Sequence, residues 1–586
     1  MNKLWTHLRE YRKDSILAPL FKLLESGMDL LVPVVVAAII NRGVGENDTG
    51  LIVWYFLLLT GLAVLGMAFS FTAQWMAARA SVGFASRIRQ ALFDHVQKLS
   101  YRELDSLGTD TLITRMTSDV NQVQNGTNLA LRLLLRSPFI VFGAMIMAFT
   151  IDTRSAVIFA VVIPLLSVVV FGIMLVSIPL FARVQAALDR LLGMTRENLT
   201  GVRVIRAFCK EKQEIEEFDS RNRLLTKLNE RVGRLSAFMN PATFLLINGA
   251  AILLIRTGAL QVDSGVLLQG DVVALYNYMA LIVVELVKLA SLIITINKAL
   301  ACGRRIQAIL NTDPSMKYPD CLPEGAAANG PAVRFSHVSF SYNTEGDEAL
   351  TDIDFTVRKG QTVGIIGGTG SGKTTVGQLI PRFYDATGGT VEVNGLDVRQ
   401  YPKGMLVKKI GVVPQKAVLF EGSIRDNLKW GNGEATDEEL WAALETAQAA
   451  EVVRGKEGGL EAKVEQGGRN LSGGQRQRLT IARALVKKPE ILILDDSASA
   501  LDFATDLALR RAIAALPGDM TVFIISQRTS SVRAADMILV LDDGKAAGTG
   551  THEELMRSCS VYREIYYSQF PEEKKEGKKA GEGAAV

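Results

Sequence analysis

Cysteine and histidine are scarce in this chain, and what there is lies scattered. The four cysteines among 586 residues, Cys209, Cys302, Cys321 and Cys559, show neither metal-ligand spacing nor a disulfide framework, which fits a reduced compartment. The four histidines, His7, His95, His337 and His552, form no cluster and read as structural or surface residues. A net charge of only +4 gives no reason to expect nucleic acid as a partner. There is no fixed-period repeat, and the first residues lack the apolar core and cleavage site of a signal peptide.

Charge is missing most conspicuously from six long stretches, near 15–41, 51–77, 131–151, 155–181, 239–260 and 271–297. Each approaches the roughly 20 residues that a helix needs to cross a bilayer. A positive mean hydropathy in a chain with 22% charged residues therefore points to two compositions joined in one molecule. The first stretch is interrupted by Lys22, Glu25 and Asp29, and the sixth carries Glu285 and Lys288 within one turn. Ionisable groups at membrane depth are costly. They are expected either to line a polar pathway, together with candidates such as Phe139, Phe142, Asn248, Tyr276 and Tyr278, or to be partnered structural charges. Residues 1–14 mix Trp5, Leu8 and Tyr11 with Lys3, Arg9, Arg12 and Lys13, as an amphipathic surface helix or a charged tail would.

The connections alternate. Those near 42–50, 152–154 and 261–270 are short; those near 78–130 and 182–238 are long and rich in Lys and Arg. By the positive-inside rule the long ones are cytoplasmic, and both termini with them. Apolar spacing within them predicts helical arms that continue the membrane helices, each of ~25 residues reaching about 38 Å. Short segments should turn across at the tips, near Arg102–Gly108 and Phe208–Glu216. The expected domains are thus 15–310 in the membrane, a Pro/Gly-rich linker over 311–332, an alternating strand–helix domain over 333–570 and a disordered tail over 571–586.

In the second half, the apolar run Val363–Ile366 leads into Gly367-Gly368-Thr369-Gly370-Ser371-Gly372-Lys373-Thr374, with Thr375 opening a helical run. This is a strand, a glycine loop and a helix: the P-loop that cradles phosphates with backbone N–H groups. Lys373 reaches the β- and γ-phosphates, and Thr374 offers a hydroxyl to Mg²⁺. An aromatic about 25 residues upstream, Tyr342, can stack on adenine. Gln415 follows the strand-like Ile410–Val413 and can touch both Mg²⁺ and an attacking water. Asp495 ends the buried strand Ile491–Leu494 and can hold Mg²⁺ through its water shell. Ser472, Gly473, Gly474 and Gln475, directly before a helix, form a second anion cradle. One nucleotide does not need two cradles in one domain, so the second is expected to serve a nucleotide on another chain.

In this order the motifs resemble the ATP-binding cassette (ABC) transporters, specifically exporter half-transporters, over about residues 1–570. The resemblance implies an α-helical six-span transmembrane domain with long cytoplasmic helical extensions, fused to an α/β P-loop ATPase domain. It implies ATP and Mg²⁺ as cofactors and a bacterial plasma-membrane location. It also implies head-to-tail pairing, in which one chain's signature, here Leu471–Gln475, completes the ATP site on the other's P-loop. Tyr342 becomes the adenine-stacking aromatic and Gln415 the Q-loop glutamine, while Glu465 sits in a loop that feels the crossing helices. The family has a glutamate after the Walker-B aspartate and a histidine in the switch loop. This chain has Asp496 and Gln527 instead. Asp is shorter by roughly 1.5 Å, and Gln cannot carry a proton or a charge at neutral pH.

The chain therefore resembles the degenerate-site subunit of heterodimeric multidrug exporters. Its partner would be a second half-transporter with intact Glu and His, and its substrate a small amphiphilic, drug-like or lipid-like molecule within membrane lipid. A slowly working homodimer, and an ATP-gated channel or regulatory membrane subunit, stay open as alternatives.

Overall fold

The computed structural model describes residues 2–323, 330–342 and 346–571. The expected tail, apart from its first residue, and 324–329 of the expected linker lie outside them. The chain divides into two units: Met1–Gln97 with Leu107–Asp313, and Lys98–Ser106 with the chain from Pro314 onward.

The first unit is all helix. Six helical stretches are long and apolar enough to cross a membrane: Leu4–Val44, Thr49–Val96, Thr109–Ile151, Thr153–Thr200, Glu211–Asp263 and Gln269–Leu310. The second and fourth are unbroken helices of 48 residues, about 72 Å at 1.5 Å per residue. The apolar cores and the expected arms are thus continuous rods. First packs along second, third along sixth and fourth along fifth. Small residues permit close approach, as where a side chain on Gly126 would collide with Ala299. Pro164, Pro179 and Pro241 lie inside the fourth and fifth helices without ending them.

The N-terminal residues are packed helical turns. Leu4 is buried, Trp5 stacks on Phe84 at 6.1 Å, and Glu10 pairs with Arg87 at 2.8 Å. The charges that interrupt the first and sixth stretches are partnered. Lys22 binds Glu25, and Arg136 bridges Asp29 at 3.1 Å and Glu285 at 2.9 Å. Glu285 also accepts from Ser137 and Lys288. The Tyr278 hydroxyl donates to the Leu30 carbonyl at 2.6 Å, while Phe139, Phe142 and Tyr276 are exposed.

At the first tip a short helix, Tyr101–Leu107, ends at Gly108 with φ 72°. At the second, the short helix is Val202–Ala207, earlier than the 208–216 expected from sequence. Gly201 ends the preceding helix. Cys209 turns at φ 51°, and Glu211 and Glu214 favour a helix start, so the next long helix is already under way at Glu211.

The second unit holds two main sheets. An antiparallel one runs in the order β2 (Leu350–Val357), β1 (Val333–Phe340), β4 (Gly388–Val393), β5 (Leu396–Asp397). The other runs β12 (Lys545–Gly550), β11 (Met537–Asp542), β3 (Thr362–Gly367), β10 (Thr521–Ile525), β9 (Ile491–Asp495), β6 (Ile410–Val413), parallel except at β12. A two-stranded pair, β7 (Gly422–Ser423) and β8 (Lys463–Val464), completes the strands of the described residues. Strand β9 is buried at every position and β3 at five of six, the continuous apolar run that a covered parallel strand requires. A core between the two sheets joins Phe335, Phe355, Val363, Ile365, Ile493 and Phe523. A separate core around Leu428, Leu440, Leu444, Leu479 and Ile481 supports the helices that follow β6.

Candidate active site

Parallel register brings the ends of four strands level. Ile525 lies opposite both Ile365 and Asp495, and Val413 opposite Leu494. The segments leaving β3, β9, β10 and β6 therefore open at one edge, where ligands bind in sheets of this kind. A cleft of about 330 Å³ is found there, lined by Tyr342, Thr369, Gly370, Gly372, Lys373, Thr374, Thr375, Gln415, Asp495, Asp496, Ser526 and Gln527. Residues spread over nearly two hundred positions thus share one cavity.

The loop geometry explains its glycines. Gly370 and Gly372 have φ 82° and 90°, a region L side chains rarely adopt. A side chain on Gly367 would sit 2.2 Å from the Leu541 carbonyl, whereas Gly368 faces open space. Lys373, only 8% exposed, curls back to the Gly368 carbonyl and lies 3.4 Å from the Ser371 hydroxyl. Burial depresses its pKa, against the pull of Asp496 and Asp495. A buried ammonium satisfied mainly by its own loop is held ready for an anionic partner.

The Thr374 hydroxyl donates to Asp495 at 3.0 Å. Burial raises the Asp495 pKa, and the nearby Asp496 adds to the rise. The Gln415 amide donates to Asp496 at 3.3 Å. Hydroxyl, amide carbonyl and carboxylate are hard oxygen donors, so this set fits Mg²⁺. Asp496 has φ 45° and its N–H bonds the Ile525 carbonyl at 2.8 Å. Its short side chain therefore leaves from a fixed left-handed turn. The Tyr342 hydroxyl bonds Thr375 at 3.0 Å and Gln378 at 3.1 Å, and burial raises its pKa.

Sequence reasoning missed Gln569. From the last described helix, Ser560–Gln569, its amide donates to the Gln527 carbonyl at 2.7 Å and accepts from the Thr529 N–H and hydroxyl, each at 2.9 Å. One side chain thus holds the switch loop at three points. No motif marks it, because the contact spans 42 residues.

The second cradle lies apart from the cleft. Ser472 caps the helix Gly473–Val486 in a reciprocal box with Gln475, at 3.3 and 3.0 Å. Ser472 and Gly473 are exposed, Gly474 and Gln475 half-buried, and none of them lines the cleft. Glu465 is also exposed.

Two family models match the chain: the ABC transporter transmembrane region over residues 15–286 and the ABC transporter domain over 350–499. An uncharacterized ABC transporter ATP-binding protein of Mycobacterium tuberculosis is 36% identical, covering 96% of this chain and 97% of its own. An uncharacterized ABC transporter ATP-binding protein of Bacillus subtilis is 34% identical over 98% and 99%. A probable multidrug resistance ABC transporter ATP-binding/permease protein of the same organism is 34% identical over 82% of each chain. The solved structure of a bacterial Atm1-family ABC exporter with ATP bound has the same fold, with a TM-score of 0.78 at 23% identity, covering 95% of this chain and 98% of its own. Six spans, a P-loop cleft and relatives aligned end to end place this chain in the ABC transporter family, as a multi-pass integral membrane protein whose ATPase drives transport.

Proposed function

We propose that this chain is one subunit of a heterodimeric ABC exporter that moves a small amphiphilic, drug-like or lipid-like molecule out across the bacterial plasma membrane. Its own P-loop site retains ATP and turns it over slowly. Its signature completes a faster site on a partner half-transporter that carries Glu and His. The long Lys/Arg-rich arms, both termini and the ATPase domain are then cytoplasmic.

The observation that carries this reading is the pairing of Asp496 and Gln527 in a cleft otherwise equipped to bind nucleotide. Lys373 and the P-loop amides bind the phosphates, and Tyr342 stacks on the base. Thr374 and Gln415 hold Mg²⁺, with Asp495 acting through water; the ion, when bound, neutralises phosphate charge. Asp496 sits back from where a glutamate would polarise water, and misplacement by ~1 Å costs on the order of 10²-fold in rate. Gln527 contributes hydrogen bonds but no positive charge. The exposed Ser472 and Gly473, with no such defect, support service to another chain's nucleotide. The multidrug relative supports an amphiphilic substrate.

The test is ATP hydrolysis by the purified chain alone and together with a half-transporter bearing Glu and His. Slow hydrolysis alone and fast hydrolysis in the pair are expected. Brisk hydrolysis by the isolated chain, unaffected by Asp496→Ala, refutes the heterodimer. In vesicles, uphill accumulation of substrate identifies a pump, whereas dissipation of a gradient alone identifies a channel.

A further inference from the structure

The first turns of the chain are docked rather than loose. The Leu4 side chain lies over Gly303 of the sixth helix, and the Tyr11 ring covers Gly83, where a side chain would come within 2.2 Å of it. With Trp5 stacked on Phe84, this fixes the short helix Asn2–Thr6 and the turn Arg9–Tyr11 against the second and sixth helices. The two carboxylates of this segment are taken: Glu10 pairs with Arg87 at 2.8 Å and Asp14 with Arg79 at 3.7 Å. Arg9, Arg12 and Lys13 are exposed, and none of their side chains has a hydrogen-bond or ion-pair partner among the described residues. Positive charge is thus held in place here without a counter-charge.

What surrounds these cations sets their level. Arg12 and Lys13 directly precede the apolar stretch 15–41. The Asp14–Arg79 pair puts them beside the end of the stretch 51–77, where Arg79 lies over the exposed Trp75 ring at 5.5 Å. A tryptophan at the end of a span marks the headgroup zone of a bilayer. Lys13 also tops a stripe. Ile16, Leu20 and Leu24 follow it at helical spacing on a face left exposed, whereas Ala18, Lys22, Ser26 and Leu30 turn inward. An exposed apolar stripe on a membrane helix meets acyl chains, and the cations lie where the headgroup of such a lipid belongs.

We propose that Arg9, Arg12 and Lys13 form a binding site for an anionic phospholipid, holding its phosphate while an acyl chain runs along Ile16, Leu20 and Leu24. A phosphodiester offers charged oxygens to guanidinium and ammonium donors. A net negative lipid is favoured over a zwitterionic one, because a choline headgroup brings its own cation into a cluster that is already positive. Each Lys or Arg near the surface is worth about fivefold for an anionic lipid, from ~1 kcal/mol per residue. The docked turn presents these cations without the entropy cost of ordering a tail on binding. The site is separate from the nucleotide cleft, and it holds whether or not the chain pairs with a second kind of subunit.

Native mass spectrometry of the purified full chain in a mild detergent, titrated with dioleoylphosphatidylglycerol or dioleoylphosphatidylcholine, tests this. The native chain is expected to bind the glycerol lipid about tenfold or more tightly than the choline lipid. Lys13→Gln should weaken the glycerol lipid alone, by about fivefold. Arg9→Gln, Arg12→Gln and Lys13→Gln together should leave the two lipids equal. All three positions are exposed, so the melting midpoint without added lipid should stay within about 2 °C. Arg9→Lys with Arg12→Lys, which keeps the charge, should keep the preference. Equal affinity of the native chain for both lipids, or a preference that survives the triple variant, overturns the site. So does displacement of the glycerol lipid by millimolar inorganic phosphate, which assigns the cations to a soluble anion. A triple variant that loses a second protein chain from its native mass, with the lipid preference intact, makes this face a subunit contact and also overturns the site. None of these outcomes touches the reading of the ATP site, which hydrolysis tests.

Discussion

The two anion cradles of the ATPase unit differ in what surrounds them. Around Gly367–Thr374 there is a cleft with a buried ammonium, two carboxylates, a Q-loop amide and an aromatic. Around Leu471–Gln475 there is an exposed serine on a well-capped helix, with no share in that cleft. The first gathers within one chain the groups that the proposed ATP site needs. The second has donors but nothing of its own to close over a nucleotide. A donor set kept intact without a local site makes sense if its ligand arrives on another molecule, and four substitutions press on that difference.

The largest effect is expected from the second cradle. Ser472→Arg should leave ATP binding to this chain unchanged, yet lower hydrolysis by the assembled pair by on the order of 10²–10³-fold, as loss of an oriented donor to developing charge does. If the isolated chain's binding falls instead, the two cradles are not separate. Lys373→Ala should do the reverse, weakening ATP binding to the isolated chain by about a hundredfold, measured by titration with a fluorescent ATP analogue. Asp496→Glu sharpens the contrast from the catalytic side: it should raise hydrolysis at this chain's own site toward 10²-fold by restoring reach to the water. No rise would mean that Gln527 is the dominant defect. Gln569→Leu should release the switch loop and slow residual turnover by about tenfold or less, with affinity unchanged.

The smallest effect concerns stability. Burial raises the Asp495 pKa, so the folded apo chain takes up a proton more readily than the unfolded chain. Apo stability should therefore rise as pH falls from neutral through that raised pKa. Mg²⁺-dependent nucleotide binding, which needs the carboxylate, should fall over the same window. Asp495→Asn removes the buried charge and should raise the apo melting midpoint at neutral pH by about 2 °C, while abolishing the Mg²⁺ dependence.

Much of this site could be read from the chain because its chemistry demands neighbours in sequence. A phosphate cradle needs successive N–H groups, and so glycines in a run. A Walker-B carboxylate needs a buried strand directly before it. Ser472 and Gln475 cap a helix three residues apart, a spacing set by the helix turn itself. The charges in the membrane helices were visible but their role was not. Arg136 joins Asp29 and Glu285 across 107 and 149 positions, and only packing makes them structural partners. The short helix of the second tip lies some residues earlier than the sequence predicts, because Gly201 and the acidic first turn at Glu211 set the break while apolar spacing does not.

Sequence alone determined the six apolar spans, the order of nucleotide motifs and the two departures at Asp496 and Gln527, since each is a matter of residue type and local spacing. Tertiary structure decided what those residues touch. It placed Gln569 on the switch loop, set Tyr384 between Tyr342 and Asp105 across 279 positions, and kept the signature out of the cleft that the P-loop occupies. The physical reason is that hydrogen bonds and ring contacts act over a few ångströms of space, and chain separation carries no information about them until strand register and helix packing bring the ends together.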